Sequence, residues 1–101
     1  MTIHIQYVRM ATSEAMNTYV TKKLNKLAKK YEWLISANVH FEVQHDPKGQ
    51  KGKICKIELS APGPRIFAAS DEKNYEMAVK ETIKELERQI KKRKHTFHPH
   101  S

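Results

Sequence analysis

Lysine and arginine residues at helical spacing are the chemically informative side chains of this sequence. Their ammonium and guanidinium groups neutralise phosphate oxygens without reading the order of bases. Two stretches, residues 13–32 and 70–94, contain most of them. The first stretch contains Lys22, Lys23, Lys26, Lys29 and Lys30. The second ends in a basic cluster of Arg88, Lys91, Lys92, Arg93 and Lys94, after the more widely spaced Lys73, Lys80 and Lys84. These spacings predict two positively charged helix surfaces.

Neighbouring acids do not account for this charge. The first stretch contains only Glu14 and Glu32, which are too few to pair with its lysines along the helix. In the second stretch every charged residue from Arg88 to Lys94 is basic, and the helix dipole explains one or two of these charges. We therefore predict that an anionic partner outside the fold compensates the remainder.

The whole chain has the same bias. Its 101 residues have a formal net charge of +8 and a pI of about 9.7, which favours nucleic acid first and a membrane surface second. A membrane is the weaker choice, because the core requires the apolar stripe of each predicted helix. If the helices make about eight phosphate contacts, the log–log slope of affinity against salt is about −6 to −7.

Other reactive residues form no recognisable catalytic or metal-binding pattern. The sequence has no glycine-rich phosphate loop and no nucleophile elbow, so we expect no enzyme, no cofactor and no small-molecule substrate. Cys55 falls on the inward side of a strand, which predicts a buried thiol. His4 and His40 fall on the outward side, with too few companions for zinc. For the histidines of residues 95–101, a polar tail is favoured over a loose metal site.

Alternating apolar and polar residues predict the strands. These are residues 2–8, 38–44 and 53–61, with a short fourth strand at 65–69 whose facing the pattern does not fix. Outward-facing positions are mostly polar, which predicts a sheet with one face in water.

Apolar residues at spacings of three and four predict two helices. The first covers about residues 13–32, with Ser13 as its N-cap. The second covers residues 70–94, with Ser70 or Asp71 as its cap.

These elements predict one α+β domain. The order β-α-β-β-β-α gives a four-stranded mixed sheet with both helices packed on one face. We expect this domain to cover residues 1–94 and residues 95–101 to be a disordered, histidine-containing tail. The sequence has no long apolar run, no leader and a single cysteine, which predicts a cytoplasmic protein without a membrane partner.

With its elements in this order, the chain resembles the ribosome hibernation-promoting factors, also called ribosome-associated inhibitors or sigma-54 modulation proteins. The resemblance covers about residues 1–94 and is carried by the segments YVTKKLNKLAKKY, RIFAAS and KELERQIKKRK. The last segment is similar to the family's LERQ followed by basic residues. The short tail is similar to that of the short, hibernation-promoting members.

The resemblance implies a fold similar to double-stranded-RNA-binding domains and a role in translation. Family members bind the small ribosomal subunit and its 16S-type rRNA, in the channel of the mRNA and of the A- and P-site tRNAs. They silence translation in stationary phase or stress, and a second, ribosome-dimerising factor is an open partner. The family's RNA-contacting positions match Lys23, Lys26, Lys29 and Lys30 on the first helix and Lys84, Arg88, Lys91, Lys92 and Lys94 on the second, to which the charge pattern adds Lys22.

Two alternatives stay open. A general double-stranded-RNA-binding protein would bind free duplex as well as ribosomes. A protein-interaction regulator of sigma-54-dependent transcription would bind a protein with little dependence on salt.

Overall fold

The computed structural model describes the backbone of residues 1–97 and the side chains of residues 1–93. The elements are β1 (Thr2–Val8), α1 (Glu14–Lys30), β2 (Ser36–Val43), β3 (Lys53–Ser60), β4 (Ile66–Glu72) and α2 (Tyr75–Phe97). The predicted order β-α-β-β-β-α is therefore confirmed.

The strands form one open mixed sheet in the order β1-β2-β3-β4. β1 and β2 run parallel, because α1 crosses over between them, and the other two pairs are antiparallel. Val39, Phe41 and Ile57 have no exposed surface and belong to one hydrophobic core with the buried residues of both helices. In β4, whose facing the sequence left open, Ile66 and Ala68 are buried.

The first helix begins where the sequence predicts. Ser13 has an extended backbone, and its hydroxyl oxygen accepts the Met16 N–H at 3.2 Å, as an N-cap does. The helix ends at Lys30, slightly before the predicted end, and the Tyr31 N–H still bonds to the Leu27 carbonyl.

The predicted start of the second helix is wrong. Residues 70–72 belong to β4, where Asp71 pairs with Ile54 and Glu72 with Lys53. The cap is Asn74, whose side-chain oxygen accepts the Met77 N–H at 2.9 Å.

The second helix also ends later than predicted. It continues through residues 95–97, which the sequence pattern places in the tail. The rest of the predicted tail, residues 98–101, lies outside the described residues.

Two tyrosines fix the starts of the helices to the sheet. The Tyr7 hydroxyl lies 2.9 Å from both the Ser13 carbonyl and the Asn17 side-chain oxygen. The Tyr75 hydroxyl donates to the Glu42 carbonyl at 2.8 Å. Burial is the main reason that the pKa of each tyrosine is raised. Both helices are therefore held in a set orientation on the sheet, which positions their outer faces.

Candidate nucleic-acid interface

The two helices are joined at Glu87 of α2. Its Oε2 accepts hydrogen bonds from Lys30 Nζ and from the Tyr31 hydroxyl, both at 2.9 Å. The Lys30 bond is the main cause that lowers the pKa of Glu87, so this residue is a carboxylate at neutral pH. Because Lys30 and Tyr31 end α1, this contact sets the spacing of the two basic faces.

The predicted contact residues lie along three adjoining parts of the helical side. The groove between the helices is lined by Lys23, Lys26 and Lys30. The other flank of α1 is lined by Lys22, Lys26 and Lys29. The outer face of α2 is lined by Lys84, Arg88 and Lys91. Lys92 lies with Arg88 beside the turn between β3 and β4. We call these residues the basic surface. The side chain of Lys94 lies outside the described residues.

Two of these cations are already paired with carboxylates. Arg88 donates to Glu85 through Nε at 2.9 Å and through Nη2 at 2.7 Å, and this contact lowers the pKa of Glu85 to about 2. Lys30 is bound to Glu87. The cationic side chains are 64% and 57% exposed, and pairs this exposed contribute only about 0–1 kcal/mol. A phosphate can therefore replace either carboxylate at a small cost.

Other lysines of α1 are not held by carboxylates. Lys23 Nζ lies 5.5 Å from the centre of the Tyr19 ring, a cation–π contact. Within residues 1–93, Lys22, Lys26 and Lys29 form no ion pair. These three side chains can meet phosphate without breaking an internal contact.

The LERQ segment has a structural explanation that its sequence alone does not give. Leu86 is fully buried, and Glu87 binds the end of α1. Arg88 faces outward, and Gln89 donates from its side-chain amide to the Phe67 carbonyl of the edge strand β4 at 2.9 Å. The segment therefore fixes α2 on both sides while presenting one base to solvent.

Arg93 belongs to the basic end of α2 but is absent from the predicted contact set. It lies beside Gly63 and Pro64 of the β3–β4 turn. Arg93 comes four residues after Gln89, so both side chains lie on the same face of α2. Because Gln89 faces β4, this spacing is the sequence signal that places Arg93 near the β3–β4 turn.

The remaining candidates do not form a reactive site. Cys55 is buried, as predicted, and burial raises the pKa of its thiol to about 12, which leaves a negligible thiolate fraction at neutral pH. His4 lies opposite Asn38 and His40 opposite Gln6, so the histidines are not direct cross-strand partners. Across the part of the chain that the structure describes, no three His, Cys, Asp or Glu side chains form a metal-binding group.

No helix among the described residues has the length and apolar character that crossing a membrane requires.

The sequence matches a known family over most of its length. Residues 3–97 fit the family model described as sigma 54 modulation protein / S30EA ribosomal protein. The chain belongs to this family. Comparison with curated protein sequences gives no match.

Two solved structures have the same fold as this chain. One, a ribosomal subunit interface protein from Coxiella burnetii, has 23% sequence identity and a TM-score of 0.79, over 93% of this chain and 98% of that one. The other, the N-terminal domain of Protein Y from Thermus thermophilus, has 22% identity and a TM-score of 0.76, over 91% and 98%. These similarities show a shared fold, and the family to which the chain belongs supports a ribosome-related role.

Proposed function

We propose that this protein binds the small ribosomal subunit and inhibits translation by occupying the channel of the mRNA and of the A- and P-site tRNAs. It acts in the cytoplasm during stress or stationary phase and promotes ribosome hibernation. The observation that carries the proposal is the basic surface, where the cations of both helices lie on one side of a domain that belongs to a ribosomal family.

The proposed mechanism is occlusion without catalysis. Lysines on long stems follow the phosphates of folded rRNA, and the rigid core keeps the domain in the channel as a plug. Lys30 and Arg88 exchange their carboxylate partners for phosphates on binding. The rRNA channel, with phosphates on several strands, offers more simultaneous contacts than a single duplex does, and this favours the ribosome over free RNA.

A neutralised variant tests the assignment of the surface. Replacing Lys26, Lys30, Arg88 and Lys92 with Gln removes four cations from the helices. Because glutamine is neutral, the change adds no carboxylate that would repel Glu85 or Glu87. The matched control replaces Arg9, Lys48, Lys51 and Lys73, which are exposed and lie outside both helices, and lowers the net charge equally.

We expect the helix variant to lose binding to the small subunit and the log–log salt slope to fall in magnitude by about 1.5 to 3, since the two cations that are paired with carboxylates each contribute less than a full contact. The control variant should keep most of its affinity. Circular dichroism and thermal unfolding of both variants report whether the fold is intact. If a folded helix variant co-sediments with subunits as well as the control does, the assigned surface is wrong.

Inhibition is tested in a purified translation system. Adding the protein before initiator tRNA and mRNA should reduce peptide synthesis, and preformed initiation complexes should resist it, because the channel is then occupied. Equal inhibition in both orders of addition would contradict occlusion. Binding that does not depend on salt and leaves no footprint on rRNA would instead favour a protein-binding regulator.

A further inference from the structure

The basic end of α2 leaves a notch beside the turn between β3 and β4. This depression has a volume of about 500 Å³. Gly63, Pro64 and Ile66 form its turn side, and Arg88, Lys92 and Arg93 form its helix side. The space above Gly63 is open, because no atom lies within 4 Å of the position that a Cβ would occupy there.

Arg93 has a buried donor without an acceptor. Its Nη1 is buried and has no hydrogen-bond partner within the described part of the chain. Arg65 and Arg88, by contrast, each donate to a carboxylate, at 2.9 and 2.7 Å. Removing a charged donor from water is costly unless an acceptor replaces the water, so the site favours a ligand that brings one.

The charge around the notch is one-sided. Its lining brings Arg88, Lys92 and Arg93 together and includes no acid. Glu85, the acid that contacts Arg88, also accepts from the Gln89 amide. Because the Arg93 Nη1 atom is itself out of contact with water, its attraction to an anion is stronger than that of an exposed cation.

We propose that the notch binds one phosphate group, with Arg93 as its buried donor and Arg88 and Lys92 at its rim. A tetrahedral dianion or a phosphodiester supplies the oxygens that the Arg93 Nη1 lacks. The phosphate comes either from an RNA backbone or from a free phosphate compound. In the first case the notch adds an anchored contact to the ribosome binding proposed above, and that part of the inference rests on the proposed function.

The variant Arg93→Met tests the site, because methionine keeps the unbranched apolar stem and removes every donor. Arg65→Met is the matched control, since Arg65 lies next to the same turn and bears the same charge but does not line the notch. The Gly63 amide resonance is followed by NMR during titration with inorganic phosphate, against chloride at equal ionic strength.

We expect a saturable shift of the Gly63 resonance in the unmodified protein and in Arg65→Met, and none in Arg93→Met. Equal shifts in all three proteins, or no saturable shift in the unmodified protein, would overturn the site. No ribosome is present in this titration, so its result is independent of whether the proposed function holds.

Thermal stability separates a ligand donor from a structural one. In phosphate-free buffer, Arg93→Met should unfold at the same temperature as the unmodified protein or above it, because the substitution removes an unsatisfied buried group. If Arg93→Met lowered the unfolding midpoint by more than Arg65→Met does, Arg93 would support the fold, and the proposal would fail.

Salt-dependent RNA binding identifies the source of the phosphate. If the source is an RNA backbone, Arg93→Met reduces the log–log slope for a structured RNA by about 0.7 to 0.9, and Arg65→Met does not. If the slope is unchanged while the Gly63 shift is lost, the notch is a site for free phosphate compounds.

Discussion

Glu87 should limit how strongly the basic surface binds RNA. Its carboxylate holds Lys30 at 2.9 Å in the groove between the helices. RNA that approaches Lys30 therefore has two options. It either meets an ammonium group whose charge Glu87 already neutralises, or it displaces the Glu87 carboxylate and remains close to that negative charge. In Glu87→Gln the amide oxygen still accepts from the Tyr31 hydroxyl, but Lys30 is released.

Releasing Lys30 from Glu87 should change both RNA binding and stability. When RNA displaces Glu87 from Lys30, the freed carboxylate takes up a cation and offsets the counterion that the Lys30–phosphate contact releases. Glu87→Gln therefore steepens the log–log salt slope by about 0.7 to 0.9. The Lys30–Glu87 pair has side chains that are 57% and 22% exposed, and a pair of this kind contributes about 0.5 kcal/mol. Its loss lowers the unfolding midpoint by about 2 to 4 °C, while RNA affinity at low salt rises about twofold because the pair no longer has to open.

The assay is fluorescence anisotropy of a labelled rRNA fragment across a salt series. Glu81→Gln is the control, since Glu81 is an exposed acid of the same helix that forms no ion pair within residues 1–93. Both variants change the net charge equally, but only Glu87→Gln releases a paired lysine. Identical slopes for the two variants would refute the reasoning, and so would an unchanged slope when Lys30→Met is added to Glu87→Gln.

Three further predictions concern the fold. Gly52→Ala should lower the free energy of unfolding by more than about 3 kcal/mol in a urea titration, because φ is +116° and the added Cβ would overlap the Gln44 carbonyl. The control Gly49→Ala, in open space at φ +66°, should lower it by about 1 kcal/mol, and similar losses for both would contradict this prediction. The pKa of Glu85 is lowered from 4.5 to about 2, so its contribution to stability is complete above about pH 4.5 and is lost as the pH falls towards 2; thermal midpoints over this range should fall less in Glu85→Gln, and an unchanged profile would refute the pairing. Burial raises the pKa of Cys55 to about 12, so iodoacetamide at neutral pH should label the thiol only as the protein unfolds in denaturant, whereas rapid labelling of the native protein would show that the thiol is accessible.

The fold was predictable because each element has a clear local period. Ile3, Ile5 and Tyr7 alternate in β1, and Val20, Leu24 and Leu27 repeat at helical spacing in α1. The order of these elements then allows few arrangements of the sheet.

The error at the start of the second helix came from a non-local contact. Residues 70–72, Ser-Asp-Glu, are typical of a helix start when read alone. In the structure, Lys53 at the start of β3 pairs with Glu72 of β4. The Asp71 carboxylate accepts the Gly52 N–H at 2.6 Å. These partners are distant in the sequence, so local spacing does not reveal them.

The candidate site was predictable in part for the same reason. Helical spacing correctly places the lysines of α1 on outward-facing positions, because it depends only on local geometry. The pairing of Lys30 with Glu87 joins residues 57 positions apart. Arg93 lies where the β3–β4 turn meets α2, and its Nη1 atom is buried. Such tertiary contacts decide which cations are available to a partner, and the RNA contacts themselves stay a prediction.

The most direct test of the central claim is co-sedimentation of the purified protein with separated small and large ribosomal subunits across a salt series. The proposed function predicts near-stoichiometric binding to the small subunit, weak binding to the large subunit, and a steep loss of binding as salt rises. Equal binding to both subunits, or to any duplex RNA, would contradict the claim and leave a general RNA-binding protein.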